Sequence, residues 1–301
     1  LLITSAIVAA SMGTALAADL PSHKAPPVFV PPPPPLLWTG FYVGLNAGGT
    51  FSSDSTVSTI AAPIYIHPGI RTASEFAAAA AASSWLSPSN GGFIGGGQVG
   101  YNYQFTNFVV GLEADIQGIA TSGNGINSLA AAPTGSGGNF WAGTTQVTGS
   151  LDYLGTVRER VGYLVLPSLL VYGTGGLAYG GVSTSTSVFD VGVRSGGNFF
   201  NAPGIYTGAS SYSDTLVGWT AGGGVEWMFL PNWSAKLEYL YYDLGTVTSN
   251  FVLTRPSTTF ANGVAGFAAA QTTARFDGNI IRAGVNYHFN WAAPAPVIAK
   301  Y

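Results

Sequence analysis

The chain has three histidines, His23, His67 and His288, and no cysteine. A nucleophile activated by a base, or a zinc site, needs such groups held close together beside Ser, Asp or Glu side chains. His23 stands in a proline-rich stretch, His288 at the end of an alternating segment, and His67 approaches Asp54 and Glu75 in sequence only. That spacing points to neither catalysis nor a metal, and no cofactor is expected. Gly95-Gly96-Gly97-Gln98-Val99-Gly100 matches the dinucleotide pattern G-x-G-x-x-G. That motif needs a strand before it and a helix after it, whereas these glycines lie inside one strand pattern. Asn232-Trp233-Ser234 has the form of a glycosylation acceptor but reads as turn chemistry at a strand start.

The informative polar groups are four acids, Glu113, Asp115, Glu226 and Glu238, and four bases, Arg158, Arg160, Lys236 and Arg282. Each alternates with apolar neighbours. From Phe108 to Gly118, Val110, Leu112, Ala114 and Ile116 share one parity, and Glu113, Asp115 and Gln117 the other. Period two means a strand with one apolar and one polar face. The same pattern marks Trp38–Phe51, Gly91–Phe105, Ser150–Val165, Leu169–Ser183, Thr215–Phe229, Trp233–Val247 and Asp277–Phe289. Eight strands are therefore expected, each longer than the five or so residues usual in soluble sheets.

The connections alternate in length. Thr106-Asn107, Pro167-Ser168 and Leu230-Pro231-Asn232 are short, and the four others are long and rich in Gly, Ser, Thr, Asn and Ala. Transmembrane barrels sort their turns in this way, with short turns on the periplasmic side. The fold class expected is all-β, an eight-stranded antiparallel up-and-down transmembrane barrel, over residues 38–289. Both ends of the chain then fall in the periplasm.

Composition agrees with an apolar surrounding. Only 8% of the 301 residues are charged, against about 25% in soluble domains. Ten Lys and Arg against thirteen Asp and Glu exclude a basic nucleic-acid binder. The apolar faces, with Phe41, Val43, Leu45, Val99, Tyr101, Leu112, Val225, Trp227, Leu237 and Val285, are expected to meet lipid. The eight ionic residues then form a network inside a barrel too narrow to hold more than side chains or one small ligand. Inward glycines, Gly44, Gly48, Gly96, Gly100, Gly222 and Gly224, make room for them. Glu159 is the exception, a carboxylate with outward parity between Arg158 and Arg160. Aromatic girdles are expected from Trp38, Phe105, Phe108, Phe229, Trp233, Tyr287 and Phe289 at the short-turn side, and from Trp219 at the other.

The ends read differently. Leu1 to Ala17 is an apolar stretch closing on Ala15-Leu16-Ala17, a truncated signal peptide with its cleavage site. Residues 18–37 hold a proline-rich linker, expected to be an extended periplasmic spacer. Residues 290–301 form a short periplasmic tail. An alanine run from Phe76 to Ala82 in the first long connection suggests one or two helical turns.

Several of these motifs carry a family resemblance. Trp38-Thr39-Gly40-Phe41-Tyr42-Val43-Gly44 resembles the opening of small alphaproteobacterial outer-membrane β-barrel, or porin family, proteins. Gly155-Thr156-Val157-Arg158-Glu159-Arg160-Val161-Gly162-Tyr163 and Tyr172-Gly173-Thr174-Gly175-Gly176-Leu177-Ala178-Tyr179-Gly180 are similar to that family's fourth and fifth strands. Lys236-Leu237-Glu238-Tyr239 and Arg282-Ala283-Gly284-Val285-Asn286-Tyr287 fit its last two. The resemblance implies an OmpA-like barrel of surface-antigen type, and the residues point to a structural or surface-interaction role and not to an enzyme. Its implied partners are outer-membrane lipid and lipopolysaccharide, the barrel-assembly machinery, and host or surface ligands met through the long loops. A narrow solute channel or a haem-binding surface protein is the alternative it implies.

Overall fold

The computed structural model describes residues 38–51, 56–66, 72–87, 91–121, 126–134, 139–193, 204–256 and 264–289. The leader at 1–17, the linker at 18–37, the tail at 290–301, His23 and His67 lie outside the described residues. In chain order the elements are β1 (Gly40–Phe51), β2 (Val57–Ile66), α1 (Thr72–Ala82), β3 (Ser84–Leu86), β4 (Gly92–Phe105) and β5 (Phe108–Thr121). They continue with β6 (Ile126–Pro133), β7 (Phe140–Leu166), β8 (Leu169–Val193), β9 (Ile205–Leu230), β10 (Trp233–Pro256) and β11 (Val264–Phe289).

Eight of these strands pair in the order β1-β4-β5-β7-β8-β9-β10-β11, and β11 pairs back to β1 to close a barrel. Every pairing in the ring is antiparallel, so each strand returns beside its predecessor. All eight segments marked by alternation fall in the ring. At the first short turn Thr106 takes φ 52°, a left-handed conformation that closes β4 onto β5.

The strands run farther than alternation indicates. β7 to β11 span 27, 25, 26, 24 and 26 residues, so much of the last three expected long loops is strand. About 9–11 tilted residues cross a bilayer core. The remainder forms a wall beyond it, where both faces of a strand can be polar. Ser183, Ser185, Ser187, Ser211 and Ser213 occupy outward positions there, and the period-two signal fades although the backbone stays extended. Three short strands complete this wall. β6 pairs with β7 beyond the end of the β5 ladder, β2 pairs with β11 beyond β1, and β3 pairs with β2. The ladder between β9 and β10 breaks after Asp243↔Trp219 and returns only at Thr254↔Thr207. A bulge sits at that break, where Gly245 takes φ +86° and donates its N–H to Asp243 Oδ1.

Alternation assigns the two faces of the lower barrel. Phe41, Val43, Leu45, Val99, Leu112, Val225, Trp227, Leu237 and Val285 are all exposed, while Glu113, Asp115, Arg158, Arg160, Glu226, Lys236, Glu238 and Arg282 are buried. The interior is filled in layers. Nearest the short turns, Trp38, Val109, Leu164, Leu170, Tyr172 and Met228 pack together. The ionic residues come next. Ile94, Leu151, Leu154, Ala178, Val182, Leu240, Tyr242, Leu244 and Ile280 then form an apolar layer above them. Farther out, α1 lies within the wall, with Ala77, Ala78, Ala81 and Ala82 packed on Trp141, Val188, Tyr206, Phe251 and Leu253. The alanine run is thus a helix of 11 residues whose small side chains let it fit against the wall.

Inward glycines are close-approach points. A Cβ on Gly48 would lie 2.6 Å from Arg282 Cα, and one on Gly224 would lie 2.8 Å from the Tyr172 hydroxyl. At Gly222 it would fall on the Tyr239 carbonyl oxygen and 2.9 Å from Leu240 Cα. Outward Gly49 is different, because the nearest atom to its Cβ would be 3.8 Å away. Gly222→Val should therefore abolish the heat-modifiable, folded electrophoretic band, and Gly49→Ala should keep it. Equal yields of folded protein would contradict this packing.

Candidate functional site

The ionic layer is assembled from five strands of the ring. Glu113 and Asp115 come from β5, Arg158 and Arg160 from β7, Glu226 from β9, Lys236 and Glu238 from β10, and Arg282 from β11. The period of two aims all eight inward, and the register brings them to one level, with Glu113 opposite Arg158, Lys236 opposite Glu226, and Glu238 opposite Arg282.

Arg158 is the hub. Its guanidinium donates to Glu113 at 2.5 Å, to Asp115 at 2.8 Å and to Glu238 at 2.9 Å. Arg282 bridges Asp115 at 2.7 Å and Glu238 at 2.6 Å, and donates to Gln117 Oε1 at 3.1 Å. Lys236 Nζ donates to both oxygens of Glu113, at 2.9 and 3.0 Å. Arg160 donates to Glu226 at 2.6 Å and to the Tyr42 hydroxyl at 3.0 Å, and lies 4.0 Å from the centre of the Tyr172 ring. Every carboxylate thus faces at least one cation. Taking such ions out of water is costly, and only paired, hydrogen-bonded geometry offsets that cost.

Neutral side chains complete the layer, and sequence reasoning did not assign them roles. Tyr42 donates to Glu113 at 2.7 Å, and Tyr172 to Glu238 at 3.1 Å. Ser234 and Asn286 donate to Glu226 at 2.6 and 2.7 Å, and the His288 ring reaches Ser234 at 2.8 Å. Their inward parity was the available signal. The chemistry this arrangement offers is a closed set of charges between apolar layers. Its hydroxyl–imidazole pair, Ser234 and His288, is buried. Among the described residues, no group of three or more His, Cys, Asp or Glu side chains is placed to hold a metal.

The aromatic residues divide. Phe105, Phe108, Trp219, Phe229 and Trp233 are exposed on the outer face. Tyr287 stacks edge-on between Trp233 and Phe289, with centroids 5.2 and 5.1 Å away. Trp38 departs from the girdle expected of it. It has the parity of Tyr42, so it turns inward, is fully buried, and donates its indole N–H to the Pro167 carbonyl at 3.0 Å. It closes the short-turn end of the lumen and does not belong to the outer ring.

A second polar cluster holds α1 in the wall. Glu75 is buried and accepts from both Tyr206 and Arg255. Asp190 is fully buried, and neither carboxyl oxygen has a hydrogen-bond partner among the described residues. Its Oδ1 and the Ala81 carbonyl, at the C-terminal end of α1, both crowd Gly143. Burial pushes the Asp190 carboxyl up to about 7. An aspartate in an unfolded chain titrates near ~3.9. Between those two values the packed mouth keeps a proton that the open chain has lost, so its stability falls as pH rises through that interval. Ionisation also sets a negative charge near the Ala81 carbonyl, at the negative end of the helix dipole. Amide exchange in α1, corrected for intrinsic rate, should be slower at pH 5 than at pH 8, and Asp190→Asn should remove the difference. A dependence that persists in Asp190→Asn would place its origin elsewhere.

Comparison with known proteins agrees with this geometry. The family described as "Outer membrane protein beta-barrel domain" matches residues 8–289. A 31 kDa outer-membrane immunogenic protein of Brucella melitensis is 35% identical over 245 residues, covering 81% of this chain and 86% of the relative. A 22 kDa outer membrane protein of Rhizobium leguminosarum bv. viciae is 35% identical over 150 residues, covering 49% of this chain and 52% of its own length. Among solved structures, the outer membrane protein OprG of Pseudomonas aeruginosa aligns over 83% of this chain and 97% of its own at 10% identity, with a TM-score of 0.33. Eight antiparallel strands closed on themselves, an apolar outer belt and this match over nearly the whole chain place the protein in the outer-membrane β-barrel family.

Proposed function

We propose that this outer-membrane barrel is a non-conducting surface protein. Its membrane-spanning part is a plugged scaffold, and its polar wall beyond the membrane makes the contacts. One observation supports this reading: the buried ionic layer lies between two apolar clusters. The ionic layer is sealed below by Trp38, Leu164, Leu170 and Met228 and above by Leu154, Leu240 and Ile280. A salt-bridged layer between two apolar seals offers no wet path for an ion.

The alternation of short turns with long extensions supports an orientation in which the linker at 18–37 and the tail at 290–301 are periplasmic and the extensions face outward. The Brucella relative is called immunogenic, which fits an exposed wall. The belt meets outer-membrane lipid and lipopolysaccharide, and insertion uses the barrel-assembly machinery. Host or surface ligands are met by β7 to β11 beyond the bilayer. Neither enzymatic activity nor nucleic-acid binding belongs to this reading.

Purified protein reconstituted into planar bilayers should show no stable conductance steps. Its folding should be verified by a band that shifts on heating. Reproducible steps from protein that carries that band would contradict the plugged scaffold and support a narrow porin instead.

A further inference from the structure

Glu159 has no role in the network. It is exposed on the outer face of β7, and its carboxylate has no hydrogen-bond or ionic partner among the described residues. Its depth follows from the register. Along β7 the outward residues run Tyr163, Val161, Glu159, Val157 and Gly155. Tyr163 packs on Phe108 in the girdle at the short-turn side, 5.3 Å between ring centres. At the other end the Tyr179 ring lies across Gly155, where a Cβ would come 2.7 Å from Cε2. Glu159 is four residues from either boundary, ~13 Å along the strand at ~3.3 Å per residue. That is farther than a glutamate side chain reaches. The carboxyl group therefore sits near the middle of the apolar belt, where an ionisable group is costly and marks a functional contact.

The surface beside it is hollow. Glu159 pairs with Gly175, which pairs with Ala221, and Val161 pairs with Gly173, which pairs with Gly223. Four adjacent outward positions thus carry a methyl group or nothing. Gly173 and Gly175 are not required by packing within the chain. A Cβ at Gly175 would meet nothing closer than the Thr220 carbonyl at 3.6 Å, and one at Gly173 nothing closer than 3.9 Å. Glycine weakens a strand interior, and where it persists without an internal reason it marks the close approach of another backbone. Leu112 stands on the β5 side of Glu159, and Val157 and Val161 flank it along β7; all three are exposed and form a ridge next to the hollow.

A ridge beside a hollow at one depth is self-complementary. A two-fold axis along the membrane normal, placed between them, sets each ridge into the other copy's hollow. We infer that the β7–β8–β9 face is a homodimer interface, centred on Glu159 and the Gly173/Gly175/Ala221/Gly223 hollow. In that arrangement the two Glu159 side chains meet near the axis. The inference rests on the barrel lying in a bilayer. Gly49 and Gly97 are equally open outward glycines, with nothing nearer than 3.8 and 3.7 Å. They lie on β1 and β4, away from β7 to β9 in the ring, with no charged side chain beside them.

The chain has no cysteine, so one introduced thiol reports one contact. In vesicles containing the full chain, Val161→Cys should oxidise to a dimer, and Leu45→Cys on the opposite face should not. Adding Glu159→Val or Gly175→Leu to Val161→Cys should cut the cross-linked fraction about tenfold, the effect of losing ~1.4 kcal/mol of association. Glu159→Gln, which keeps hydrogen bonding, and Gly97→Leu should leave it unchanged. The heat-modifiable band verifies the barrel in every variant, and its absence from the parent protein would count against the membrane reading itself. Equal cross-linking at positions 45 and 161, none at 161, or no effect of Glu159→Val and Gly175→Leu in folded protein would overturn the interface.

Discussion

A closed barrel in lipid must balance its interior charge with its own side chains, because neither water nor lipid can do so. Arg158, Arg160, Lys236 and Arg282 face Glu113, Asp115, Glu226 and Glu238 within one buried layer, in equal numbers of each sign. Removing a single member leaves a buried, uncompensated charge, which costs about 3–5 kcal/mol in comparable sites. The layer therefore constrains every strand that supplies it. A slip of one residue in any of them would turn its ion toward lipid and its apolar neighbours toward the ions.

Other features follow from that constraint. Long ionic side chains can meet across the lumen only where opposing positions are small, so Gly48, Gly96, Gly222 and Gly224 sit where a side chain would strike the neighbouring strand. The apolar layers on either side keep the ions out of water, which strengthens their pairing. Trp38 belongs to the lower seal for the same reason, filling the lumen where β1 begins. Beyond the bilayer no such balance is needed. There the wall is held by long ladders among β7 to β11, and α1 occupies the space that a wider polar barrel would leave open.

Alternation made the lower barrel legible because each strand there separates two unlike surroundings, lipid and a packed interior. Residues such as Leu112, Glu113 and Asp115 could be placed by parity alone. Trp38 suits an interface by residue type, but its parity, shared with Tyr42, points it inward. The extensions were hidden because Ser183, Ser185 and Ser211 face water, which imposes no apolar period on an extended chain. Tyr42, Tyr172, Ser234 and His288 carried inward parity, but their hydrogen bonds depend on which strands are neighbours and at what register. The Glu75–Arg255–Tyr206 cluster joins residues up to 180 positions apart, and no local pattern could have shown it.

If the ionic layer is one balanced unit, its members are energetically coupled. A double-mutant cycle on Arg158 and Glu238, read from urea unfolding in lipid vesicles, tests it most directly. If the layer is balanced, Arg158→Met alone is strongly destabilising. Adding Glu238→Gln then restores part of the loss, with a coupling of at least ~1 kcal/mol. Additive losses from the two substitutions would show that the layer's charges are not balanced against one another.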